Sequence, residues 1–445
     1  DKFLIPKKND DIQKDDKIYV IINSSHTTQT LEAFGHNEKV SKKILIVGGG
    51  LSGPILALAL AQTGLKVVVV DALKEKVRKN AAFNGRSYAI ALTSQRLLNG
   101  IGIWDEVKSQ SEPILEIKVT EGRAGEGPSP FFMHFDHAEI EEGPMGYMVQ
   151  DRYLRHALLK GMEASLNITH LSGQKVTNQI ASPSNLSVTL NTGKILTTGL
   201  LIGADGRSSG TAKRAQIKRN GWNYDQTALV CAIAHEKPHH GVAHQFFMPP
   251  GPLAILPLPN NVSSIVWSET THNAEIFNKL SNTEYLTMLR PRFGDFMGEI
   301  SLIGQRYTYP LSLSVTQRLI SERVALIGDA AHGVHPIAGQ GLNAGMRDIA
   351  ALAEVIIDAV RRGEDAGSIA VLSRYEEWRR FDNTALSLAT DTFNRLFSND
   401  SPSLRGLRNI GMGIINAMPG LRRTFIREAA GLTGDLPRLM RDQPL

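Results

Sequence analysis

KILIVGGGLSGPILALALAQTGLKVVVVDA, residues 43–72, places a glycine-rich turn between two short apolar runs. The first run predicts a buried strand over 44–47, and the residues after the turn predict a helix over 54–63. The second run predicts another strand over 66–72. Strand, helix and strand follow at the spacing of a βαβ crossover, so the segment predicts an α/β fold with a parallel sheet.

The same segment contains 22 consecutive uncharged residues, from Ile44 to Leu65, which is enough to cross a bilayer. Glycines and Pro54 interrupt this run, so we interpret it as the strand, turn and helix of a folded domain rather than as a membrane span.

Composition and charge exclude several classes of protein. The one cysteine, Cys231, excludes a disulfide framework and a four-cysteine zinc site in this chain of 445 residues. The formal net charge of +5 is mildly basic and favours an anionic surface such as a membrane. Without a recognition helix or an aromatic motif it does not indicate nucleic acid. No secretory signal is visible, so we expect a cytoplasmic protein.

The glycines have the spacing of a dinucleotide-binding turn. Gly48 allows the sharp bend, Gly50 lets the backbone approach a pyrophosphate, and Gly53 lets the helix pack on the strand. The helix start offers unpaired N–H groups to phosphate oxygens. Asp71 ends the second strand, 23 residues after Gly48, where an acid would accept a hydrogen bond from a ribose hydroxyl. An acid there disfavours a 2′-phosphate, so we expect FAD or NAD(H) rather than NADP(H).

Two further apolar runs end in an acid beside glycines. They are LLIGADG, residues 200–206, and RVALIGD, residues 323–329, and the second leads into a helix from about Leu342. Their acids, Asp205 and Asp329, indicate one extended ligand that is contacted from several elements. A dinucleotide with a ring system, such as FAD, fits this footprint.

Three motifs together resemble the flavoprotein aromatic hydroxylases of group A: VGGGLSG, GADGRSS and ALIGDAAHGVHPIAGQGLNAG. More narrowly, the ubiquinone-biosynthesis branch that hydroxylates polyprenylated phenols is similar in GRSYAIALTSQRLLNGIGIWDEV, PLAILPLPNNVSSIVWSE and the terminal GDLPRLMR. The similarity covers about residues 43–441. It implies a Rossmann-type FAD-binding domain with an inserted antiparallel β-sheet substrate domain and C-terminal helices.

The resemblance also implies a division of the chain. The FAD-binding parts would lie at about 43–115, 145–215 and 310–360, the substrate sheet at about 116–144 and 216–309, and the C-terminal helices at about 361–441.

Roles for individual residues follow from the resemblance as well. The glycine turn would hold the FAD pyrophosphate, Asp71 the adenosine ribose and Asp329 the ribityl hydroxyls. Asp205 would help to bind the cofactor and the passing nicotinamide. The expected cofactor-binding residues are Gly48, Gly50, Gly53, Asp71, Arg86, Arg152, Asp205, Gly206, Gly328, Asp329, Pro336, Gly339, Gln340, Gly341 and Asn343.

One position departs from the family pattern. The family often has Arg seven residues after the acid of its second motif, where this chain has Ala212. Lys213 or Arg214 would take its place on the nicotinamide side.

Two groups of histidines have spacings that a metal site would use. Asp329, His332 and His335 are three residues apart, but their loop contains glycines and Pro336 and offers no scaffold that turns three ligands to one face. We expect no metal there, and we expect the histidines to pack or to form hydrogen bonds.

The second group lies in HEKPHHGVAH, residues 235–244. Pro238 and Gly241 interrupt any helix, and the flanking residues alternate as strands. We therefore expect a hairpin of the substrate sheet rather than a metal site.

Residues 1–42 do not belong to this plan, and they contain seven Lys and seven acidic residues. They resemble the end of the regulatory ligand-binding domain of Trk-type potassium-uptake proteins, where a K-x-I-L-I-V-G-G-G strand would also follow. We expect a fragment of a foreign regulatory domain that packs poorly on the rest. The alternative is an ordinary N-terminal extension.

The other end of the chain is rich in arginine. From Leu404 to Arg441 there are seven Arg and two acidic residues, interleaved with apolar residues. A basic amphipathic helix pair of this kind lies peripherally on the inner, anionic face of a membrane, or it packs on the core with a solvated basic face. A complex of ubiquinone-biosynthesis proteins is a further possible partner.

The combined expectation is an FAD-dependent monooxygenase. It would use NAD(P)H and O2, through a flavin C4a-hydroperoxide, to hydroxylate the ring of a polyprenylated phenol. No side chain stands out as a general base. Two alternatives stay open: a nucleotide-sensing regulatory subunit of a potassium transporter, and a flavin reductase that does not use O2.

Deletion of residues 1–41 tests the boundary. If the segment is foreign to the fold, the shortened protein keeps its FAD content and its melting temperature, measured by flavin absorbance and thermal unfolding. Loss of soluble, folded protein would show that the segment is an integral part of the fold.

Overall fold

The computed structural model describes residues 43–82, 85–125, 127–333, 340–380, 382, 411, 413 and 415–445. All of them belong to the unit Val40–Leu445. The predictions for residues 1–42, His335, Pro336 and Gly339 lie outside the described residues.

A six-stranded sheet carries the predicted glycine turn. In spatial order its strands are β18 (Ile320–Ser321), β19 (Val324–Leu326), β12 (Leu200–Gly203), β1 (Ile44–Val47), β2 (Val67–Asp71) and β8 (Ile168–Ser172). Neighbouring strands are parallel except for β18 and β19. The four predicted strands of this sheet are confirmed. Each is an apolar run because a strand of a parallel sheet is buried on both faces.

The helices of the described residues include α1 (Ser52–Ala61), α2 (Glu75–Arg78), α3 (Leu92–Gly100), α4 (Trp104–Val107), α5 (Asp151–Ala164), α6 (Gly210–Arg214), α7 (Thr271–Lys279), α8 (Asn282–Phe293), α9 (Gln340–Arg361), α10 (369–380) and α11 (Pro419–Ala429), and residues 415–417 are helical as well. Helix α1 begins two residues before the predicted start and is buried on nearly all sides, since it contacts the sheet, α5 and α9. None of the described helices is long and apolar enough to span a membrane.

An eight-stranded sheet forms a second layer. Its strands in spatial order are β20 (His332–Gly333), β17 (Ile300–Thr316), β13 (Arg219–His235), β16 (Val262–Thr270), β15 (Leu253–Leu258), β14 (Val242–Phe247), β5 (Glu116–Arg123) and β6 (Gly127–Asp136). Every pair is antiparallel except β14 with β5.

Two small antiparallel sheets complete the fold. One has the order β3 (Ser87–Ala91), β7 (Gly146–Gln150) and β4 (Ser111–Ile114), and the other β11 (Ile195–Thr198), β10 (Leu186–Leu190) and β9 (Val176–Ala181).

The predicted hairpin around the second histidine group is wrong. β13 and β14 flank these histidines, but β16 and β15 lie between the two strands in the sheet. After β13 the chain skips two strand positions in the sheet and forms β14. It then returns through β15, which pairs with β14, and β16, which pairs with β13. Local alternation reveals the strands but not their partners, because pairing is decided by contacts distant in sequence.

Two of the four histidine rings of this segment, those of His235 and His239, are held by structural hydrogen bonds. The His235 ring forms a hydrogen bond through Nδ1 with the carbonyl oxygen of Lys237 at 2.7 Å and through Nε2 with Ser263 Oγ at 3.1 Å. The His239 ring forms one through Nε2 with the carbonyl oxygen of Leu258 at 2.8 Å, and its Nδ1 accepts from the N–H of Gly241 at 3.0 Å. Both rings are buried and have both nitrogens engaged.

Helix α11 packs on the outer strand β6. Ile426 is fully buried, and the ring of Phe425 stacks on that of Phe135 with centroids 6.1 Å apart. Arg422 pairs with Glu139 at 2.8 Å. The described part of the arginine-rich segment therefore includes a helix that packs on the core.

His244 makes the stability of this sheet depend on pH. Its ring lies against Phe246 and Phe296, with centroids 6.0 and 4.7 Å away, and burial lowers its pKa from 6.5 to about 4. Between these values the unfolded chain binds more protons than the native one, so stability falls as pH falls.

We expect His244→Phe to remove this contribution, up to about 3 kcal/mol between pH 6.5 and 4. The free energy of unfolding of the variant then declines less on acidification than that of the wild type, as measured by denaturant titration. His240→Asn is the control, since His240 is exposed and Asn suits its positive φ of 54°. An unchanged slope for His244→Phe would contradict the assignment.

Candidate functional site

The glycine turn lies at the carboxyl ends of β1 and β12. Gly48 has φ of +123°, and a Cβ there would lie 2.1 Å from the carbonyl oxygen of Ala204. A Cβ on Gly53 would lie 1.9 Å from the carbonyl oxygen of Gly48. Only glycine permits these two approaches. A Cβ on Gly50, by contrast, would meet no atom of the described residues within 4 Å, so Gly50 borders open space, as a pyrophosphate requires.

The start of helix α1 faces the same space. Leu51 occupies the N-cap position and supplies no side-chain hydrogen bond. The first backbone N–H groups of a helix have no partner within the helix, and they attract phosphate oxygens. Gly50 and the uncapped helix start therefore fit the pyrophosphate of a dinucleotide.

Asp71 ends β2 and is 1% exposed. Its Oδ1 accepts from Arg78 Nη2 and the backbone N–H of Leu73, both at 3.0 Å, and its Oδ2 accepts from Arg78 Nε at 2.7 Å. A Cβ on Gly49 would lie 2.2 Å from Oδ2. Each carboxylate oxygen accepts about two hydrogen bonds, so the contacts with described residues leave capacity on Oδ2 for a ribose hydroxyl. Arg78 and Gly49 were not predicted from the sequence.

A cavity of about 260 Å³ opens next to this acid. Three guanidinium groups and one carboxylate contribute to its walls. The residues that line it are Leu73, Val77, Arg78, Asn80, Ala82, Arg86, Asp151 and Arg155. Arg86, which was predicted to bind the cofactor, lines this cavity and hydrogen-bonds to the Tyr309 hydroxyl.

The predicted Arg152 instead donates to Gln150 and Tyr153, both at 2.9 Å. Arg155, one turn further along α5, lines the cavity and pairs with Asp151 at 3.0 Å. The signal for Arg155 was its i,i+4 spacing from the acid.

Asp205 organises the start of α6. Its Oδ2 accepts from both the backbone N–H and the hydroxyl of Thr211 at 3.0 Å, and its Oδ1 accepts from Ser209. Gly206 follows with φ of +80°. The structure therefore gives Asp205 a capping role that its place at the end of a strand did not predict.

The two basic residues near Ala212 differ in their surroundings. Ala212 itself is fully buried. Arg214 donates to Gln179 at 3.1 Å and to the carbonyl oxygen of Val176 at 3.2 Å, so it is tied to β9, whereas Lys213 is exposed.

Gly328 brings the first and third motifs together. It opens a 3₁₀ turn, Gly328–Ala330, with φ of +57°. A Cβ there would lie 2.8 Å from Ser52 Oγ, and a Cβ on Gly345 would lie 3.1 Å from the Gly328 Cα. The turn is thus wedged between the starts of α1 and α9.

Asp329 is the exposed acid of this turn, with half of its side chain accessible. Arg207, from the second motif, approaches it at 3.5 Å. Arg219 donates to the backbone oxygens of Asp329, at 3.1 Å, and of Ala330. All three motifs therefore meet at one edge of the six-stranded sheet.

The predicted residues at the start of α9 have a backbone role. Gln340 and Gly341 open the helix. Asn343 Oδ1 accepts from the N–H of Ala91, and its Nδ2 donates to the carbonyl oxygen of Ala89, both at 2.9 Å. Asn343 therefore fastens β3 to α9.

A buried polar cluster next to the turn was not predicted as such. Asp348 is fully buried and hydrogen-bonds to Gly328, His332 and Arg379. Burial alone would raise the pKa of Asp348, but His332 and Arg379 outweigh it and lower the pKa to about 2. The available signal was an acid on the apolar face of α9. The expectation that His332 forms hydrogen bonds is confirmed.

Comparisons with known proteins give the family. A model described as FAD binding domain matches residues 41–386. The chain is 43% identical to ubiquinone hydroxylase UbiL of Rhodospirillum rubrum, over 92% of this chain and 95% of that protein. It is 31% identical to 3-demethoxyubiquinol 3-hydroxylase of Escherichia coli, over 88% of this chain and 98% of that protein.

Solved structures agree on the fold. The p-nitrophenol 4-monooxygenase PnpA from Pseudomonas putida aligns with a TM-score of 0.73 at 19% identity, over 89% of this chain and 99% of that one. The predicted α/β fold, FAD as cofactor and an FAD-dependent monooxygenase are confirmed, and the potassium-transporter alternative is set aside. A family model that spans most of the chain, together with these relatives, shows that the protein belongs to the FAD-binding-domain family of flavoprotein monooxygenases, in the branch of the ubiquinone hydroxylases.

Proposed function

We propose that this enzyme hydroxylates the aromatic ring of a polyprenylated phenol in ubiquinone biosynthesis, with NAD(P)H and O2 as co-substrates. The observation that carries the proposal is the meeting of three separated motifs at one sheet edge, in a chain whose relatives are named ubiquinone hydroxylases. The ends of parallel strands are where α/β folds bind extended ligands.

The residues at this edge match the parts of FAD. Gly50 and the start of α1 would receive the pyrophosphate, Asp71 the adenosine ribose, and Asp329 the ribityl hydroxyls. Arg86 and Arg155, which line the cavity, would add positive charge beside the phosphates. When bound, FAD supplies the redox chemistry, which takes hydride from NAD(P)H and delivers one oxygen atom of O2 to the ring.

The protein's own contribution is to position the substrate and exclude water. Tyr309 of β17 lies over the Arg86 guanidinium, with the ring centroid 4.7 Å from Cζ, so the eight-stranded sheet reaches the cavity. Next to it, a Cβ on Gly85 would lie 3.1 Å from the Tyr307 ring. We propose that the phenol ring binds between this sheet and the flavin, from which water has to be excluded during the reaction.

Purified protein, reconstituted with excess FAD, tests the function directly. We expect flavin absorbance bands, NAD(P)H oxidation that a short-chain prenylated phenol stimulates, and a product one oxygen atom heavier by mass spectrometry. NAD(P)H oxidation without a hydroxylated product would favour the flavin-reductase alternative. Absence of flavin bands would contradict both enzyme readings.

Asp329→Ala tests the cofactor assignment. Removal of an acceptor for ribityl hydroxyls costs about 1.5–3 kcal/mol, the scale of a hydrogen bond to a charged group, so FAD should bind at least about 10-fold more weakly. Fluorescence titration with FAD measures the change. Asp295→Ala is the control, since Asp295 is a highly exposed acid between α8 and β17. Equal affinities for the two variants would remove Asp329 from the site.

We further propose that the enzyme docks on an anionic membrane face through α11, because its substrate is dissolved in the bilayer. The side chains of Met418 and Leu421 are exposed by 49% and 41%, next to the exposed Arg423. Exposed apolar side chains beside a cation suit the membrane interface. Arg422 contributes less, since Glu139 already balances it.

Arg423→Glu tests this docking. Each arginine near an anionic surface contributes about 1 kcal/mol, so charge reversal should weaken liposome binding about 5-fold or more, while the flavin spectrum stays unchanged. Co-sedimentation with anionic liposomes measures binding, which high salt should also weaken. Lys194→Glu is the control, an exposed cation between β10 and β11. If neither salt nor Arg423→Glu changes sedimentation, a partner complex delivers the substrate.

A further inference from the structure

The carboxylate of Asp348 ties the Gly328 turn to other parts of the chain. Its Oδ2 accepts from the backbone N–H of Gly328 at 3.0 Å and from His332 Nε2 at 2.6 Å. Its Oδ1 accepts from Arg379 Nε at 2.9 Å. The side chains of Asp348, His332 and Arg379 are at most 2% exposed. Buried charges persist only when they are paired and hydrogen-bonded, so this cluster holds a defined geometry.

Helix α9 presents two features to the turn from one face. Gly345 lets the turn approach so closely that a Cβ would lie 3.1 Å from the Gly328 Cα. Asp348 is three residues further along, on the same face, and accepts the Gly328 N–H. The spacing therefore fixes both the distance and the orientation of a backbone segment in the left-handed region.

The cluster continues toward the C-terminal segment. Arg379 also donates to Asp382 at 2.6 Å, and Arg347 contacts Asp382 at 3.3 Å. Arg347 in turn donates to the carbonyl oxygens of Gly431 at 2.8 Å and Thr433 at 3.2 Å. An unbroken series of hydrogen bonds thus joins the turn to the segment that follows α11.

We propose that His332 and Asp348 are positioning residues for FAD. Asp348 holds the Gly328 N–H and His332 holds the Asp348 carboxylate, so together they keep the Asp329 side chain in the position that would bind the ribityl chain. The inference rests on the proposed role of Asp329. A turn without these bonds occupies its binding geometry for a smaller fraction of the time, and the apparent affinity for FAD falls by that fraction.

A matched pair of variants at His332 tests the inference. His332→Gln keeps an N–H donor near the position of Nε2, whereas His332→Leu keeps the bulk without a donor. Both leave the Asp348–Arg379 pair intact. We expect His332→Leu to bind FAD about 10-fold more weakly, the scale of one hydrogen bond to a charged group, with altered visible circular dichroism of the bound flavin. His332→Gln should restore the spectrum and most of the affinity.

Two results would overturn the proposal. One is wild-type affinity and an unchanged flavin spectrum in His332→Leu, and the other is an equal loss in both variants. The wild-type protein supplies a measurement that does not depend on the variants' folding. Its Gly328 amide should exchange with deuterium as slowly without FAD as with it, and rapid exchange in the FAD-free protein would also overturn the inference.

Failure of the underlying assignment is recognised separately. A wild-type protein that binds no FAD contradicts the proposed function, and an Asp329→Ala variant with full affinity contradicts the role of Asp329. The His332 pair, compared with a wild type that binds FAD, reports on positioning alone.

Discussion

The close approach of three backbone segments governs the rest of the structure. Gly48 contacts Ala204, Gly53 contacts Gly48, and Gly328 lies between Ser52 and Gly345. A Cβ at Gly48 or Gly53 would overlap backbone atoms that cannot move away, and Gly328 has a left-handed backbone with φ of +57° that favours glycine. Because these glycines keep the strand ends and helix starts within van der Waals distance, residues that are far apart in sequence share one edge of the sheet, and the space beside Gly50 stays open.

The elements around this edge were predictable from the sequence because their causes are local. Uninterrupted apolar runs such as 44–47 and 200–203 are typical of strands buried on both faces. The spacing of Gly48, Gly50 and Gly53 predicts the turn between β1 and α1. Pairing in the eight-stranded sheet was not predictable in the same way. The separation of β13 from β14 by two strands depends on which edges meet after the chain has crossed the sheet.

Side-chain partners show the same division. The acids Asp71, Asp205 and Asp329 were identified by their positions at strand ends, yet Arg78, Thr211 and Arg207, which contact them, were not. A sequence specifies that a buried acid needs a partner but not which donor reaches it. Asp348 is an example. Because it lies on the apolar face of α9, its buried carboxylate needs a cationic partner, and that partner is Arg379, 31 residues further along the chain.

The charges that line the cavity make it suited to an anionic ligand while they also hold its walls in place. Arg78 is fixed by Asp71 at 2.7 Å, and Arg155 by Asp151 at 3.0 Å. In each pair the carboxylate neutralises one guanidinium charge. Because these side chains are already held in place, they lose little further conformational freedom when a ligand binds. Arg86 hydrogen-bonds to the hydroxyl of Tyr309, and the cavity lining as a whole has three guanidinium groups and one carboxylate. The cavity therefore combines rigid walls with a net attraction for anions.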